Sequence, residues 1–442
     1  MIDFSVEPEF QAKLDWMAAF VRDECETMDL LWPEQGCQFD PSLKSARDHA
    51  KPLQDQVKAQ GLWACHLGPN LGGPGYGQVK LALMNEIIGR SNWAPVVFGC
   101  AAPDTGNAEI LALFGTPEQK QRYLGPLMAG EIVSCFSMTE PQGGADPGVF
   151  TCKATMEGDE WVIEGEKWFS SNARFASFFL VIAVTAEGAP LTERMSMFVV
   201  PAETPGIEII RNVAIAGENP YEEGAHGHVR YNKVRIPADH ILGRPGEGFK
   251  VAQARLGGGR IHHAMRTVGK CQRALDMMLE RSVSRVTRGR KLGDHQMVQA
   301  KIAESVIELE QFRLLTLKTA WLIDETEAER MPHGTPRNHI GMCKVAMANV
   351  WMSVIGKALE IHGSLGISLD MPLANWFGGG MGLAFADGPT DAHKSQLARA
   401  YLKKTKPVDG LFPSEHIPTR LKAALERYPD ARPEGVPGQG RL

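Results

Sequence analysis

The sequence predicts an α+β protein with a helical N-terminal domain, an antiparallel β-barrel or sandwich in the middle and a C-terminal helical bundle. Its 442 residues exceed what one hydrophobic core accommodates, so two or three domains are expected. Apolar residues recur at helical spacing over residues 1–130, and short β-rich runs fill residues 131–243. Helical spacing returns over residues 244–406. We expect the proline-containing, charged segment 407–442 to be a loosely held extension.

The N-terminal domain carries a helix start signal at Thr116. A proline follows at the first helical position, and Glu118 supplies an acid in the first turn. Threonine at the N-cap with proline after it is typical of a helix N-terminus. A glycine-rich loop, Leu71–Gly77, interrupts the helical pattern upstream.

The middle domain consists of short runs rich in Val, Ile and aromatic residues, separated by turn residues. The expected strands are Ile132–Met138, Glu160–Phe169, Phe178–Thr185, Ser196–Val200, Ile207–Val213 and His226–Ile236. Because no helical pattern intervenes, the runs indicate an antiparallel sandwich or barrel.

The C-terminal domain shows amphipathic helices. Ile302, Val306 and Leu309 form one apolar stripe, at the spacing of a helix with one buried face. The further helices expected here are Ile261–Val286, Ile340–His362 and Ala392–Lys404.

The composition is that of an ordinary soluble protein, with 43% hydrophobic and 22% charged residues. A net charge of −5 argues against sequence-independent attachment to nucleic acid. The start of the chain has three acids and no apolar run, and no apolar stretch is long enough for a membrane helix. We therefore expect a cytoplasmic protein without a membrane span.

Eight cysteines are scattered without a Cys-x-x-Cys pair. In a chain of this length, buried thiols are the expected reading, and no metal site is predicted. The His226-x-His228 and His262-His263 pairs do not change that expectation, because the first has no third ligand in sight and the second points to different faces of any helix.

The segment Phe136–Asp146 is the strongest local motif. Its Thr-Glu-Pro follows a strand, and Gly143 and Gly144 allow tight turns with exposed backbone N–H groups. Such a loop can approach a flat polar ring or a phosphate. A plain β-turn between strands is the alternative interpretation.

The whole string resembles the signature of the acyl-CoA dehydrogenase family, in which an aromatic residue precedes Thr-Glu-Pro, a glycine-rich run and Asp. The resemblance covers roughly residues 5–405 and continues through Asp159–Asn172, Pro245–Phe249 and Arg273–Asp276. Gly259–His263 and Ala386–Pro389 are most similar to the subgroup that animals carry fused to a kinase-like domain.

The resemblance implies FAD as the cofactor. On one side of the flavin it implies contacts from Phe136, Met138, Thr139, Gly144 and Ala145, and on the other side from Phe169, Ser170 and Ser171. Ala145 stands beside the expected thioester, where many relatives have a serine, so that hydrogen bond is absent. Ser171 replaces a threonine and keeps its hydroxyl.

A second set of flavin contacts is implied to reach a neighbouring subunit. Arg285–Gly289 resembles the Arg-x-x-Phe-Gly element that grips the FAD pyrophosphate, a task suited to the bidentate guanidinium. The implied contacts are Arg285, Thr287, Gln296, Glu360, Gly363 and Ser364. Arg288 replaces the usual phenylalanine, and a solvated helix end is the alternative reading. Shared contacts imply a homodimer or homotetramer.

Asp387 is the implied catalytic base, because Phe385–Thr390 falls where the family has Tyr-Glu-Gly-Thr. Some relatives place the base one residue before the arginine matched by Arg260, but Gly259 has no side chain. Arg260 would then order Asp387 or the thioester region of the substrate, with a structural ion pair as the alternative. Pro389 and Asp391 are further expected FAD contacts, and Asp391 is a second candidate base.

The implied function is oxidation of an acyl-CoA to the 2-enoyl-CoA, with electrons passing from FADH2 to an electron-transfer flavoprotein. One alternative is a flavin oxidase of the same fold, acting on an acyl-CoA or a nitroalkane. Another is a DNA-associated flavoprotein without dehydrogenase activity. The acyl chain length does not follow from the sequence, although the subgroup suggests long or 4-hydroxylated chains.

Overall fold

The computed structural model describes residues 3–33, 37–40, 42–215, 225–332 and 334–430. Two compact units are distinguished, Met1–Lys394 and Ser395–Leu442. Residues 431–442 of the predicted extension lie outside the described ranges. No helix within those ranges is both long enough and apolar enough to cross a membrane.

The N-terminal part is helical, as predicted. Its helices are α1 (Pro8–Phe20), α2 (Glu26–Leu31), α3 (Lys44–Ala59), α4 (Gln78–Ile88), α5 (Ala94–Val97), α6 (Asp104–Phe114), α7 (Pro117–Gln119) and α8 (Gly125–Ala129). The predicted start at Thr116 is confirmed. Its hydroxyl accepts a hydrogen bond from the Gln119 N–H, and the Gln119 side chain bonds back to the Thr116 N–H.

A single large sheet follows. Its strands are β1 (Ser134–Ser137), β2 (Lys153–Glu157), β3 (Glu160–Ser171), β4 (Phe178–Val184), β5 (Met195–Pro201), β6 (Ile207–Val213), β7 (His226–Pro237) and β8 (Ile241–Leu242). The order is β6-β7-β3-β1-β4-β5-β8, with β2 beside β3 and β4. Most neighbours are antiparallel, as predicted. β1 differs because it runs parallel to β4.

Strand β4 is buried on both faces. Phe178, Leu180 and Ile182 pack into one apolar cluster with residues of α6, while Phe179 and Val181 pack into a second cluster. A strand covered on both sides carries a continuous apolar run instead of an alternating one. The run Phe178–Val184 is therefore explained by its central place in the sheet.

The helices after the sheet form the second helical region. They are α9 (Gly248–Ser284), α10 (Gln296–Glu327), α11 (Arg337–His362), α12 (Ser364–Ile367), α13 (Leu373–Leu383) and α14 (Thr390–Leu402), and a short hairpin of β9 (Val286–Thr287) and β10 (Arg290–Lys291) joins α9 to α10. Met265 of α9, Phe312 of α10 and Met347 of α11 share one core with Met84 of α4. The N-terminal helices are thus packed into the same core as the C-terminal bundle.

Helix α9 links the sheet to this bundle. It begins at Gly248, where a Cβ would lie 2.6 Å from the carbonyl carbon of Ser196 in β5. The glycine therefore lets the helix start directly against the sheet. In the second unit, α15 (Ile417–Arg427) has no buried residue.

Candidate active site

Asp387 lies in the turn between α13 and α14. Its φ of +53° is left-handed, and Gly388 after it has a φ of +98°. The Asp387 carbonyl accepts hydrogen bonds from Arg260 Nε at 2.9 Å and from His393 Nε2 at 3.3 Å. Only 14% of the Asp387 side chain is exposed. Two side chains thus hold the turn while the carboxylate stays largely out of water.

The carboxylate of Asp387 faces α9 at Gly259. A Cβ built on Gly259 would lie 3.1 Å from Asp387 Oδ2. The two alternative base positions considered from the sequence therefore converge on one point in space. Since Gly259 lacks a side chain, the room beside it is filled by the Asp387 carboxylate.

Basic groups surround this carboxylate. His263 Nε2 lies 3.6 Å from Asp387 Oδ2, and burial lowers the pKa of His263, although the charge of Asp387 opposes that effect. Lys344 of α11 is fully buried and donates to the Leu383 carbonyl. Burial lowers the pKa of Lys344 to about 8, again against the attraction of Asp387.

The sequence interpretation missed several of these neighbours. Arg255, His263, Lys344 and His393 were not among the predicted site residues. One signal was available for two of them, because Arg255, Gly259 and His263 are spaced four residues apart and so share a face of a helix. Nothing comparable marked Lys344, which reaches the site from a different helix.

The Thr-Glu-Pro loop is anchored by a buried ion pair. Glu140 Oε1 lies 2.8 Å from Lys167 Nζ, and both side chains are buried. The backbone N–H groups of Thr151 and Cys152 also donate to the Glu140 carboxylate. Burial alone would raise the pKa of Glu140, but Lys167 and these N–H groups hold it below its ordinary value. Glu140 therefore has a structural role beneath the loop.

The two predicted flavin-facing segments lie side by side. Phe136 of β1 pairs with Ser171 of β3, and the Trp168 N–H donates to the Thr139 carbonyl at 2.7 Å. The hydroxyls of Ser137 and Ser170 are 2.9 Å apart. The structure thus places Phe136–Thr139 next to Phe169–Ser171, the two segments that the family resemblance assigned to the two sides of the flavin.

This surface has features that fit a flat polar ring. Phe169 is 41% exposed with a left-handed φ of +55°, an unusual state for an aromatic residue with no ligand against it. Asn172 Nδ2 is buried and finds no hydrogen-bond acceptor within the described ranges. Gly144 and Ala145 are exposed. An isoalloxazine ring would cover the exposed Phe169 ring and the loop at Gly144 and Ala145.

A glycine lets Val149 pack closely against this loop. A Cβ on Gly143 would lie 2.3 Å from Cγ2 of Val149, so a larger residue there would displace the Val149 side chain. The Met138 carbonyl, on the strand side of the loop, accepts from Lys167 Nζ at 2.9 Å. Lys167 therefore holds the loop at Met138 through a hydrogen bond, and Val149 packs against it at Gly143.

The second predicted flavin set lies elsewhere on the chain. Arg285 is exposed at the base of the β9–β10 hairpin, where its carbonyl accepts from the Leu292 N–H at 2.7 Å. Gln296 begins α10, and Lys301 of that helix contacts Glu360 at the end of α11. These residues share no hydrogen bond with the β1–β3 surface in the part of the chain that the structure describes.

Two turns shape this second set. Gly363 is the C-cap of α11 and has a φ of +64°, a conformation that glycine adopts readily. Ser364 beside it is exposed. Arg288, which stands where the family pattern has phenylalanine, takes a left-handed φ of +49° in the hairpin and is exposed. The hairpin thus closes without a buried side chain at that position.

Asp391 differs from Asp387 in every local respect. Its side chain is 91% exposed and pairs with Lys394 Nζ at 3.2 Å. Pro389 lies at the N-terminus of α14, where its carbonyl accepts from the Ala392 N–H at 3.1 Å. Of the two acids, Asp387 alone is largely shielded from water and has several basic groups around it.

Comparison with known proteins agrees with these motifs. Models of the acyl-CoA dehydrogenase N-terminal, middle and C-terminal domains match residues 7–131, 135–234 and 246–402. "Probable acyl-CoA dehydrogenase FadE2" of Mycobacterium tuberculosis is 39% identical, and the match covers 81% of this chain and 88% of that protein. Acyl-CoA dehydrogenase family member 11 of Rattus norvegicus is 39% identical over 79% of this chain and 44% of its own length. The chain therefore spans less than half of that longer relative.

Solved structures agree on the fold. A glutaryl-coenzyme A dehydrogenase complex with glutaryl-CoA superposes with a TM-score of 0.77 at 26% identity, over 92% of this chain and 98% of that one. Butyryl-CoA dehydrogenase from Megasphaera elsdenii gives a TM-score of 0.76 at 23% identity, over 91% and 100%. The predicted fold class is confirmed. The chain belongs to the acyl-CoA dehydrogenase family of FAD-dependent oxidoreductases.

Proposed function

We propose that the protein catalyses FAD-dependent α,β-dehydrogenation of an acyl-CoA thioester to the 2-enoyl-CoA, with Asp387 removing the α-proton. The observation that carries the proposal is the convergence of Gly259 and Asp387, where a Cβ on the glycine would touch the carboxylate. Either position could deliver a base to the same point, and in this chain only Asp387 has a carboxylate to deliver.

The surroundings of Asp387 suit proton removal from carbon. A proton beside a thioester carbonyl is weakly acidic, so its removal needs a base in a largely dry pocket and donors for the oxygen that becomes negative. Arg260 and His393 hold the Asp387 carbonyl, which fixes the neighbouring backbone. We infer that a backbone N–H beside Asp387 is one donor to the thioester oxygen.

The β1–β3 surface would hold the cofactor. Phe136, Thr139 and Phe169 border the exposed, partly unpaired surface described above. Bound FAD would supply the acceptor for the hydride that leaves the β-carbon. The chain's own contribution is to orient the ring through the loop that Glu140 and Lys167 anchor.

The second flavin set supports an oligomer. Arg285, Gln296 and Glu360 are exposed and have no bond to the β1–β3 surface within the described ranges. We propose that they serve a neighbouring subunit's FAD in a homodimer or homotetramer. The proposed electron acceptor is an electron-transfer flavoprotein, and the proposed compartment is the cytoplasm.

Anaerobic titration with a panel of acyl-CoAs tests the proposal. The purified, FAD-loaded protein should lose its flavin absorbance near 450 nm (about the usual position for oxidised flavin) with at least one member of the panel, because hydride transfer reduces the ring. If no acyl-CoA bleaches the flavin, the proposal is wrong. Rapid reoxidation of the reduced protein by air would instead favour the flavin oxidase alternative.

A further inference from the structure

Arg255, in the first turns of α9, lies against the candidate flavin surface. Its guanidinium carbon is 3.9 Å from the centroid of the Phe136 ring, which is close enough for a cation–π interaction. Phe136 pairs with Ser171, so this ring belongs to the surface expected to face the flavin. Arg255 therefore brings a positive charge to the edge of that surface.

A chain of hydrogen bonds fixes this guanidinium. Arg255 Nε donates to Asn107 Oδ1 at 2.8 Å, and Asn107 Nδ2 donates to Ser134 Oγ at 2.8 Å. The Ser134 hydroxyl in turn donates to Asp104 Oδ1 at 2.5 Å. Asn107 and Ser134 are fully buried. Each buried group in the chain has its partner, so the arrangement is rigid.

Helix α6 is shaped to admit Arg255. A Cβ on Gly106 would lie 2.8 Å from Cγ of Arg255, so an alanine there would push the arginine stem aside. Glycine inside a helix is unfavourable relative to alanine. Its presence beside Arg255 therefore has a packing reason, and the reason is room for this side chain.

The titratable and charged groups around Asp387 and around Arg255 come from several elements. Around Asp387 they are Arg255, Arg260 and His263 of α9, Lys344 of α11 and His393 of α14. Facing Arg255 are Asp104 and Glu109 of α6, Cys135 of β1 and Asp387. Burial raises the pKa of Asp104 to about 6 and that of Glu109 to about 7.

Arg255 differs from Arg260 and Lys344, the other cations near Asp387, because its guanidinium also contacts the Phe136 ring of the candidate flavin surface. Burial lowers the pKa of His263 and of His393, so both imidazoles are largely neutral at pH 7. Arg260 already donates to the Asp387 carbonyl. Burial lowers the pKa of Arg255, and Asp387 is the first of the charges that oppose this effect; a guanidinium keeps its charge throughout the physiological range.

We propose that Arg255 is a positioning residue that holds a fixed positive charge between the base Asp387 and the flavin surface at Phe136, and that Asn107, Ser134 and Asp104 keep it there. This inference rests on the proposed function. The charge favours the ionised carboxylate that must accept the α-proton, and it stabilises negative charge that arrives at the flavin on reduction.

Three variants of the full-length, FAD-loaded protein test this role. Arg255→Gln removes the charge, Arg255→Lys keeps the charge without the Asn107 bond geometry, and Asn107→Leu releases the arginine. Arg235→Gln is the matched control, because Arg235 is half-exposed and, among the described residues, pairs with Glu157 and Glu160 alone. Urea unfolding of each apoprotein checks that the fold is retained.

The first measurement is the pH dependence of flavin reduction by a reactive acyl-CoA. Removing a nearby cation disfavours the ionised base, so the acid limb of the rate profile should move to higher pH in Arg255→Gln, by about one unit. Asn107→Leu should move it in the same direction by less. Arg255→Lys should restore most of the wild-type profile, and Arg235→Gln should not change it.

The second measurement is the midpoint potential of bound FAD, reduced by dithionite without substrate. Arg255→Gln should make this potential more negative, because reduced flavin carries more negative charge and has lost a cation beside it. This readout remains valid even if no acyl-CoA reduces the wild-type flavin, so failure of the proposed function and failure of this inference are distinguishable. An unchanged acid limb together with an unchanged potential would overturn the inference, as would a change confined to KM, which would make Arg255 a substrate contact.

Discussion

Asp387 takes a backbone conformation that few residues other than glycine tolerate. Its φ of +53° lies in the left-handed region, where aspartate and asparagine are the most frequent non-glycine residues. Bonds from Arg260 and His393 to its carbonyl hold the turn in this state. Asp387 is one methylene shorter than the glutamate of the family pattern, and the left-handed turn aims its carboxylate at Gly259 on α9.

Glu140 could not be assigned from its motif alone. As the acid of Thr-Glu-Pro it is adjacent to the predicted flavin contact Thr139, but its partner Lys167 lies on β3, 27 residues away. Pairing across that distance depends on the register of β1 and β3, which the sequence pattern does not determine. The structure shows that this acid anchors the loop from below.

The buried Glu140–Lys167 ion pair supplies a prediction about the stability of the protein. Lys167→Met should destabilise the protein by about 3 kcal/mol, because it leaves a buried carboxylate without its counter-charge. Lys167→Met combined with Glu140→Gln should cost less than the sum of the two single changes, since no unpaired charge remains. Urea unfolding of the wild type, both single variants and the double variant measures this coupling; strictly additive losses would contradict it.

Helix α9 is the element that assembles the site. Arg255, Gly259 and His263 lie on one face of it, and its first residue packs against β5. The sequence predicts helical spacing from residue 244 onward, but it places the first helix only at Ile261, after the run Gly257–Gly259. In the structure, α9 runs through these glycines from Gly248. Their small size is explained by the acids that pack against Gly258 and Gly259.

The β9–β10 hairpin supplies a prediction about cofactor binding. Arg285→Gln should weaken FAD binding by about tenfold, because a bidentate contact to a phosphate is lost. Arg290→Gln on the facing strand is the control, since Arg290 is exposed and its side chain bonds to His295 alone in the described part of the chain. Fluorescence titration of each apoprotein with FAD measures the affinity. Equal affinities for the two variants would exclude Arg285 from the cofactor site.

At the scale of the whole molecule, the order of helical, β and helical regions followed from the periodicity of apolar residues. The sheet interior was also evident, since the run Phe178–Val184 is buried throughout. The parallel pairing of β1 with β4 was not predicted. The β2–β3 hairpin lies between these two strands in sequence, and the pairing depends on how that hairpin folds. Lys153–Glu157, which became β2, has an exposed face and carries little apolar signal.

The site depends on contacts between distant parts of the chain. Gly259 and Asp387 are 128 residues apart in sequence (387 minus 259), yet a Cβ on one would touch the carboxylate of the other. The alignment of the sequence motifs predicted the candidate base. The basic groups around it come from α9, α11 and α14, and they could be identified only from the tertiary structure. Lys344 is the clearest example, since a lysine inside a helix pattern is normally a solvated side chain.

Anaerobic stopped-flow reduction of Asp387→Asn tests the central claim most directly. Asparagine preserves the size of the side chain and cannot accept the proton, so the variant should keep its FAD and lose flavin bleaching by about a hundredfold or more in rate. Asp239→Asn, a change at an exposed turn, should reduce at the wild-type rate. Reduction of Asp387→Asn at the wild-type rate, with the same acyl-CoA, would contradict the assignment and move the base elsewhere.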